Sequence, residues 1–522
     1  MGEFVVAVDV GTGSARAGVF DRKGTLFARA SRPIAMNRED GVTAEHSSAD
    51  IWSAVAHSVR EAVATAGIDP ALVDAIGFDA TCSLTFLDDD GRPLSTAKSG
   101  EAGWDTIAWL DHRAIAEAVM LSRSKADALR YSGNLLSPEM ALPKIVWVRD
   151  HLPEIWAKTG KILDLADFLT WRATGSLARS ACTLTAKWNY LNHGKPGWDT
   201  ALLSDSGLAD LPEKANVPGT PLVSGTAVGT LSPETAAAFG LPQTCRVAAG
   251  MVDAYAGALA LTGADPDAAE SVSLIGGTSS CVMRLTIEPQ FLHSFWGPYF
   301  GAALPGYWII EGGQSAAGSL LDYILRTHLG RDPNADDHEK VLTRIALLLD
   351  SQGAAFGRRI HVLPDFHGNR TPFGDASMLG SIHGLSLDSS FDGLAALYYR
   401  TMVALVLGMR QTIDKMEETG TPIRMLYLGG GHAKSPLFAQ LYADATGRDV
   451  VISSGEEAML LGTAMTAASA AGWYASLLEA SRVMRRSEKA IRPNPANVSA
   501  FERDYRIFLR MQQQRQELAA LS

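Results

Sequence analysis

The sequence predicts an α/β chain of two related domains facing each other across a cleft. Two observations carry this. A strand, a glycine-rich turn and a second strand open the chain in FVVAVDVGTGSARAGVFD, Phe4–Asp21, and the same pattern recurs half a chain later in SVSLIGGTSSCVMRL, Ser271–Leu285. At 522 residues the chain is long enough for two or three domains with a large buried core. Each glycine-rich hairpin is expected to take one side of a polyphosphate.

In the opening hairpin, Val5, Val6, Ala7 and Val8 form a β-like run that ends on Asp9, and Gly11 and Gly13 supply the turn before a second run, Ala17–Phe20. The glycines lie between two strands, whereas a dinucleotide or Walker loop lies between a strand and a helix. Backbone N–H groups and hydroxyls in such a loop suit an anion, and an acid just before it suits a metal ion held through water. The same residues also serve as an ordinary turn.

Composition narrows the partners. Apolar residues make up 47% and charged residues 20%, the profile of a globular enzyme. The net charge of −11, with no basic block, argues against nucleic acid and against an anionic membrane surface. Cys82, Cys182, Cys245 and Cys281 are far apart, so neither a zinc site nor a disulfide framework is expected, and a reducing, cytoplasmic setting fits. No signal peptide is expected, because Asp9 interrupts the apolar run and no basic segment precedes it. The uncharged stretch Ala458–Leu478 is long enough to span a bilayer, but its Ala, Gly, Ser and Thr content predicts a buried helix instead.

After the hairpin, Ser47 or Ser48 is placed to cap a helix in which Ile51, Val55, Val59 and Val63 form a core-facing stripe. A strand AIGFD then leads to Ala80, Thr81, Cys82, Ser83 and Leu84, small polar residues that fit either a polyol pocket or a turn. In WLDHRA, His112 has no second histidine at ligand spacing, so a structural role or a hydrogen bond is expected rather than metal. From Tyr131 to Gly175 the periodicity is helical, with Ile145, Trp147, Ile155, Trp156, Phe168 and Trp171 expected in the core. Lys187 sits among small residues in RSACTLTAKWNY and reads as a substrate contact or as a snorkelling lysine.

The strand CRVAAG and the segment Met251-Val252-Asp253 precede a helical AYAGALALTG, which puts Asp253 near a helix N-terminus as a cap or as a functional carboxylate. A domain boundary is expected at Thr262–Asp267. Beyond the second hairpin, YWIIEGGQS delivers Glu311 and Gln314, and a long apolar helix runs from Asp392 to about Met416. IRMLYLGGGHAKSPLF then reads as a strand, three glycines at Gly429–Gly431 and a helix opening near Ser435, a seat for a phosphate or nucleoside. After Pro493 and Pro495 the tail reads as one amphipathic helix with Phe501, Tyr505 and Phe508 on one face.

Taken together, DVGTGSAR, GMVDAYAGA, IGGTSS and GGGHAKSP, in this order, make the chain resemble the FGGY family of carbohydrate kinases over nearly its whole length. The resemblance implies two ribonuclease-H-like domains of the actin, hexokinase and sugar-kinase type around a central cleft. Residues 1–262 would form the N-terminal domain on the sugar and phosphate side, and residues 263–522 the C-terminal domain on the nucleotide side. It also implies roles: Asp253 as base, Asp9 as the holder of Mg2+ through water, and Gly11, Thr12, Gly13, Ser14 and Arg16 near the transferred phosphoryl group. Gly277 and Thr278 would face the nucleotide phosphates, and Gly430, Gly431 and Lys434 would border the adenosine. Lys187 and Glu311 match sugar-contacting positions of ribulokinases, and Thr81-Cys82-Ser83-Leu84 is similar to a sequence of the D-ribulokinase branch, with Thr85 where that branch has valine.

The implied reaction is ATP-dependent phosphorylation of a pentulose, D-ribulose to D-ribulose 5-phosphate, with ribitol, L-ribulose and xylulose as alternative substrates. The partners expected are a small sugar or polyol and ATP, without nucleic acid or membrane, and a homodimer is the assembly considered. Phosphoryl transfer asks the protein to align the hydroxyl and to stabilise spreading charge, with closure of the domains excluding water. Two rival classes are an actin-like ATPase, which has no use for Lys187, Glu311 and Gln314 converging on a polyol, and a sugar-binding regulator, which would carry a basic DNA-binding segment.

Overall fold

The computed structural model describes residues 2–216, 219–265, 270–453, 457–485 and 488–521. The chain forms two compact units that interleave along the sequence. The first comprises Met1–Ala268, Leu285–Ile310 and Glu457–Ser487, and the second comprises Ala269–Arg284, Glu311–Glu456 and Glu488–Ser522. The expected division at 262/263 falls near the first of these crossings, after Ala268; Leu285–Ile310 and Glu457–Ser487 then return to the first unit.

The first unit is built on a sheet in the order Leu26–Pro33, Ser14–Asp21, Phe4–Val10, Val73–Ala80, Arg246–Ala248, Ala227–Thr230, with Met251–Val252 also paired to Val73–Ala80. Phe4–Val10 is antiparallel to Ser14–Asp21 and parallel to Val73–Ala80, and it is buried along its whole length, as its continuous valine-rich run requires. Val6, Val8 and Val10 share a core with Ile51, Val55, Val59 and Val63 of the helix Ser48–Ala66. That is the stripe the four-residue spacing predicts. Ser47 caps this helix, its side chain accepting from the Asp50 N–H.

Side chains alternate across a strand, so Asp9 and its register partner Asp79 leave the sheet on the face opposite this core. The helix Ala458–Ala470 packs there, against both strands and against the helix Asp253–Thr262. Gly462 makes the helix contact possible: a Cβ at that position would lie 1.8 Å from the Ala256 carbonyl oxygen. The uncharged stretch beginning at Ala458 is therefore a buried helix that ends at Ala470, and a separate helix begins at Leu477.

A four-stranded sheet of Glu45–His46, Thr106–Ile107, Leu84–Leu87 and Lys161–Asp164 supports the polar run at residues 81–84. Lys161–Asp164 corrects the expectation of continuous helix between Tyr131 and Gly175. The helices there are Ala141–His151, Pro153–Lys158 and Leu165–Thr174. A four-residue run with Ile162 and Leu163 at its centre is too short for periodicity to decide, and pairing with Leu84–Leu87 makes it a strand. Ile145, Trp147 and Phe168 are buried as expected, whereas Ile155, Trp156 and Trp171 are half-buried.

In the second unit, Ser271–Gly276 lies between Ser280–Thr286, its antiparallel hairpin partner, and the parallel strand Met425–Gly430. Asp449–Ser453 and Glu488–Ile491 extend the sheet beyond Met425–Gly430. The helix Phe391–Glu417 packs against the helices Gly318–Leu329, Ala335–Gln352, Pro436–Thr446 and Pro495–Ala519. Among the described residues it is the one helix long and apolar enough to cross a membrane, and 72% of its apolar window is buried inside the protein. In the tail helix Pro495–Ala519, Phe501 and Phe508 are buried and Tyr505 is half-buried, its hydroxyl donating to Asp414.

Candidate active site

The first glycine-rich turn is closed by its own backbone, the Gly11 N–H donating to the Ser14 carbonyl at 3.0 Å. Gly13 at the tip is exposed, and a Cβ built on it would meet nothing within 4 Å, so the turn leaves open space beside its N–H groups. The Thr12 hydroxyl accepts from the Trp109 indole N–H at 2.9 Å. Arg16 stands opposite Asp9 in register, and its Nη2 lies 2.5 Å from Asp9 Oδ2.

Three aspartates gather on the sheet face below this turn. Asp9 and Asp79 are register partners on parallel strands. Burial pushes both carboxyls up, Asp79 the further because the Asp9 charge adds to it, while Arg16 pulls Asp9 back down. Asp79 therefore holds a proton more readily, and Asp9 is left to carry the charge facing Arg16. The Thr463 hydroxyl donates to Asp79 Oδ2. Asp253 is the first residue of the helix Asp253–Thr262, half-buried, with its Oδ1 accepting the Ala254 N–H at 2.7 Å. Removal from water raises its carboxyl to about 6 and the Asp9 charge adds to this, against the Ala254 N–H, Lys187 and Arg16.

This arrangement suits a hard cation. The buried oxygens Asp9 Oδ1, Asp9 Oδ2 and Asp79 Oδ1 face each other and, at Asp9 Oδ2, the Arg16 guanidinium. Among the described residues there is no group of three or more His, Cys, Asp or Glu side chains able to hold a metal by themselves. A magnesium ion at Asp9 would thus draw further ligands from water and phosphate oxygens, its usual habit in phosphate chemistry.

The residues expected on the sugar side continue from the same strands. The Thr81 and Ser83 hydroxyls are 3.1 Å apart, and Ser83 Oγ also accepts the Trp109 backbone N–H at 3.2 Å. Cys82 is buried, and loss of hydration pushes its thiol up to about 12, so it remains a neutral thiol. Lys187 ends the helix Ala181–Lys187 and is 4% exposed, which excludes the snorkelling reading. Its ammonium lies 3.9 Å from the centre of the Trp296 ring and 5.9 Å from that of Tyr255, a cation–π seat. Thr85 is buried and its hydroxyl meets that of Thr106 at 3.0 Å, so the departure from valine is absorbed inside the four-stranded sheet.

In the second unit, Gly277 and Thr278 are exposed at the tip of the second turn. Their carbonyls accept N–H groups of Gly318 and Ala317 at the start of the helix Gly318–Leu329, both at 2.9 Å, which braces the turn. Gly430 has a φ of +72°, and a Cβ there would lie 2.5 Å from the Gly276 carbonyl oxygen. Gly431–Lys434 forms a single 3-10 turn before Ser435 caps the helix Pro436–Thr446, and Lys434 is exposed. His432 seals this junction: it is stacked on Phe438 at 4.1 Å and packed so tightly on Gly276 that a Cβ there would lie 2.2 Å from the imidazole. Burial holds it neutral, with a value lowered to about 4. Glu311 is buried on Trp308–Gln314, its Oε1 3.8 Å from Arg370 Nη1. The Gln314 amide is turned to the Leu405 carbonyl, a structural tie.

Of the residues singled out from the sequence, the structure gathers Asp9, Arg16 and Asp253 in the first unit, with Lys187 close enough to Asp253 to stabilise its charge. In the second unit, Gly430 lies against Gly276, next to Gly277 and Thr278. Sequence reasoning passed over Asp79, Trp109, Glu457 and Thr463. Asp79 carried one usable signal: it stands at the end of a β-like run, as Asp9 does. His112, expected in a structural or hydrogen-bonding role, has its Nε2 3.6 Å from the Glu139 carboxylate, beyond hydrogen-bond distance. The four cysteines are buried and form no disulfide.

Comparison with known proteins bears on the family and the fold. The model of the FGGY family of carbohydrate kinases, N-terminal domain, matches residues 4–260, and that of the C-terminal domain matches residues 272–471. An FGGY carbohydrate kinase domain-containing protein of Danio rerio is 39% identical, with 99% of each chain covered. A D-ribulokinase of Saccharomyces cerevisiae is 32% identical over 90% of this chain and 72% of its own. In fold, the chain resembles the crystal structure of a xylulose kinase from Brucella ovis at a TM-score of 0.80, with 22% identity and coverage of 99% and 100%.

Proposed function

Because the chain belongs to the FGGY family of carbohydrate kinases, we propose that it transfers the γ-phosphoryl group of ATP to a hydroxyl of a pentulose, converting D-ribulose to D-ribulose 5-phosphate. The observation that carries the reading is the placing of Asp253. It stands at a helix N-terminus with its carboxyl raised to about 6 by burial and by the Asp9 charge, against the pull of the Ala254 N–H, Lys187 and Arg16. A carboxylate of that strength is ionised at neutral pH and still basic enough to accept a proton late in the transfer. The 32% identical D-ribulokinase supports D-ribulose over other pentuloses.

In the reaction, Asp253 Oδ accepts the proton of the attacking sugar hydroxyl as the new O–P bond forms and ADP leaves with the electrons of the broken bond. Arg16, Thr12 and Ser14 bind the migrating phosphoryl group, whose transition state is loose and spreads charge over three oxygens. The exposed turn at Gly277 and Thr278 binds the nucleotide phosphates, and Gly430, Gly431 and Lys434 border the adenosine. Lys187 donates to the keto oxygen, Glu311 accepts from a hydroxyl, and the Thr81–Ser83 strand end completes the sugar contacts. Magnesium held at Asp9 would supply Lewis-acid neutralisation of the phosphate charge. Buried cysteines without a disulfide suit the reducing cytoplasm, where ATP is supplied.

A screen of pentuloses and pentitols with ATP and magnesium tests the proposal. D-ribulose is expected to give the highest kcat/KM, with ribitol, L-ribulose and xylulose behind it, because a site built to hydrogen-bond each oxygen rejects analogues that leave a buried group unpaired. A higher kcat/KM for xylulose or a hexose would remove the D-ribulose assignment and leave the kinase. ATP turnover that no sugar stimulates would instead favour an ATPase.

A further inference from the structure

Arg16 stands between two carboxylates, and the second comes from a segment 441 residues away. Asp9 and Arg16 are direct register partners on antiparallel strands, so their side chains leave the sheet on the same face and meet through Nη2 and Oδ2. On the other side, Glu457 Oε2 lies 3.4 Å from Arg16 Nη1. The Glu457 side chain is 5% exposed, and its Oε1 is held by Arg29. Arg29 lies on the neighbouring strand Leu26–Pro33, in register with Gly18, two residues along from Arg16. The Arg16 side chain is itself 29% exposed, so part of its guanidinium is left for a ligand.

A guanidinium is a planar fork of five N–H donors that a single carboxylate readily captures through two of them. Left alone with Asp9, Arg16 would fold onto it in that bidentate way, and both groups would be spent on each other. The carboxylate at position 457 faces Nη1 instead, while the contact with Asp9 runs through Nη2. We propose that Glu457 is a positioning residue for phosphoryl transfer: it holds the Arg16 guanidinium in the orientation that receives the migrating group and keeps Asp9 from being capped. This rests on the kinase reading, in which Arg16 touches the phosphoryl group and Glu457 acts only through Arg16.

The test is a double-mutant cycle on the full chain with ATP, magnesium and the best sugar of the screen. Glu457→Gln keeps the shape and removes the charge; it lowers kcat by about 10- to 100-fold, the scale of a misplaced catalytic contact. The KM for sugar stays within about twofold, since the sugar-side residues are untouched. In an Arg16→Ala background the same Glu457→Gln change alters kcat by less than about twofold, because residues that act through one another are not additive. A merely structural role for Glu457 would lower the melting temperature and multiply with the Arg16→Ala loss. Should Glu457→Gln not fold, Arg29→Gln carries the test, because that side chain is half exposed and its loss unanchors Glu457; it lowers kcat when Arg16 is present and not when it is Ala. Unchanged kcat in the single variants, or losses that multiply, overturn the inference while the kinase stands. A wild-type chain that phosphorylates no sugar overturns both.

Discussion

At the scale of single residues, Asp253 carries the sharpest expectation. Asp253→Asn keeps the hydrogen bond at the helix start, since the amide oxygen can still accept the Ala254 N–H, but it cannot take a proton. Turnover is expected to fall by about 10²–10⁴, roughly 3–5 kcal/mol of barrier, with ATP binding retained. The wild-type kcat/KM should rise with pH through about 6, as the raised carboxyl ionises. Stability runs the other way. Between the ordinary carboxylate value of 3.8 and about 6, the folded protein keeps a proton that the unfolded chain has released, so stability falls as pH rises across that window and stays low above it. Asn has no charge to lose, so at pH 8 the variant should be more stable than wild type by at most about 3 kcal/mol, and less where solvent reaches the group, while at pH 4 the two should nearly coincide. Thermal melts at both pH values, beside the pH–rate profile, check this; near-normal turnover of the variant would take Asp253 out of the mechanism. Asp9 and Asp253 were legible because each sits beside a turn or a helix start that local composition reveals, whereas Arg16 was singled out only by the resemblance to the family. Asp79 and Glu457 were not, since the importance of Asp79 arises from strand register and that of Glu457 from a partner 441 residues away, and neither leaves a local pattern.

At the scale of elements, the two glycine-rich hairpins and the helices with strong periodicity were readable, and each begins or ends within a few residues of the expected place. The helix Phe391–Glu417 and the Ser435 cap are examples. The strand Lys161–Asp164 was not readable, because four residues between two helices show no period of their own and only the pairing with Leu84–Leu87 fixes their state. The helix Ala458–Ala470 was read correctly as buried from its small residues, but those residues do not say what they pack against. The structure supplies the answer: Gly462 lies on the Ala256 carbonyl of the helix that presents Asp253, and Thr463 reaches Asp79. Gly462→Ala places a methyl group where backbone must give way, so the two helices must separate. A loss of about 1–3 kcal/mol of stability is expected from overpacking, with kcat reduced as Asp253 is displaced. Melting and turnover measured on one preparation decide it; a variant that loses stability with full kcat would show that the helix spacing does not set the base.

At the scale of the whole molecule, the chain order and the packing order differ. The first unit is completed by Leu285–Ile310 and Glu457–Ser487, so its sheet face around Asp9 and Asp79 is covered by a helix made almost 200 residues after the second hairpin begins. Leu460, Leu461, Ala464, Met465, Ala467 and Ala468 of that helix are buried. Without it, apolar surface facing them would be exposed, and Asp9 and Asp79 would both be free to ionise and repel one another across the strands. A domain needs its whole core to fold cooperatively. A chain ending at residue 268 is therefore expected to show secondary structure without a cooperative thermal transition. Addition of a peptide spanning residues 457–487 should restore part of that transition, because the helix binds the folded sheet and not the unfolded chain. Calorimetry of the shortened chain with and without the peptide makes the measurement. A sharp, peptide-independent transition would mean that the N-terminal segment is a domain in its own right, and that the returning helix adds the contacts to Arg16 and Asp79 to an already finished fold.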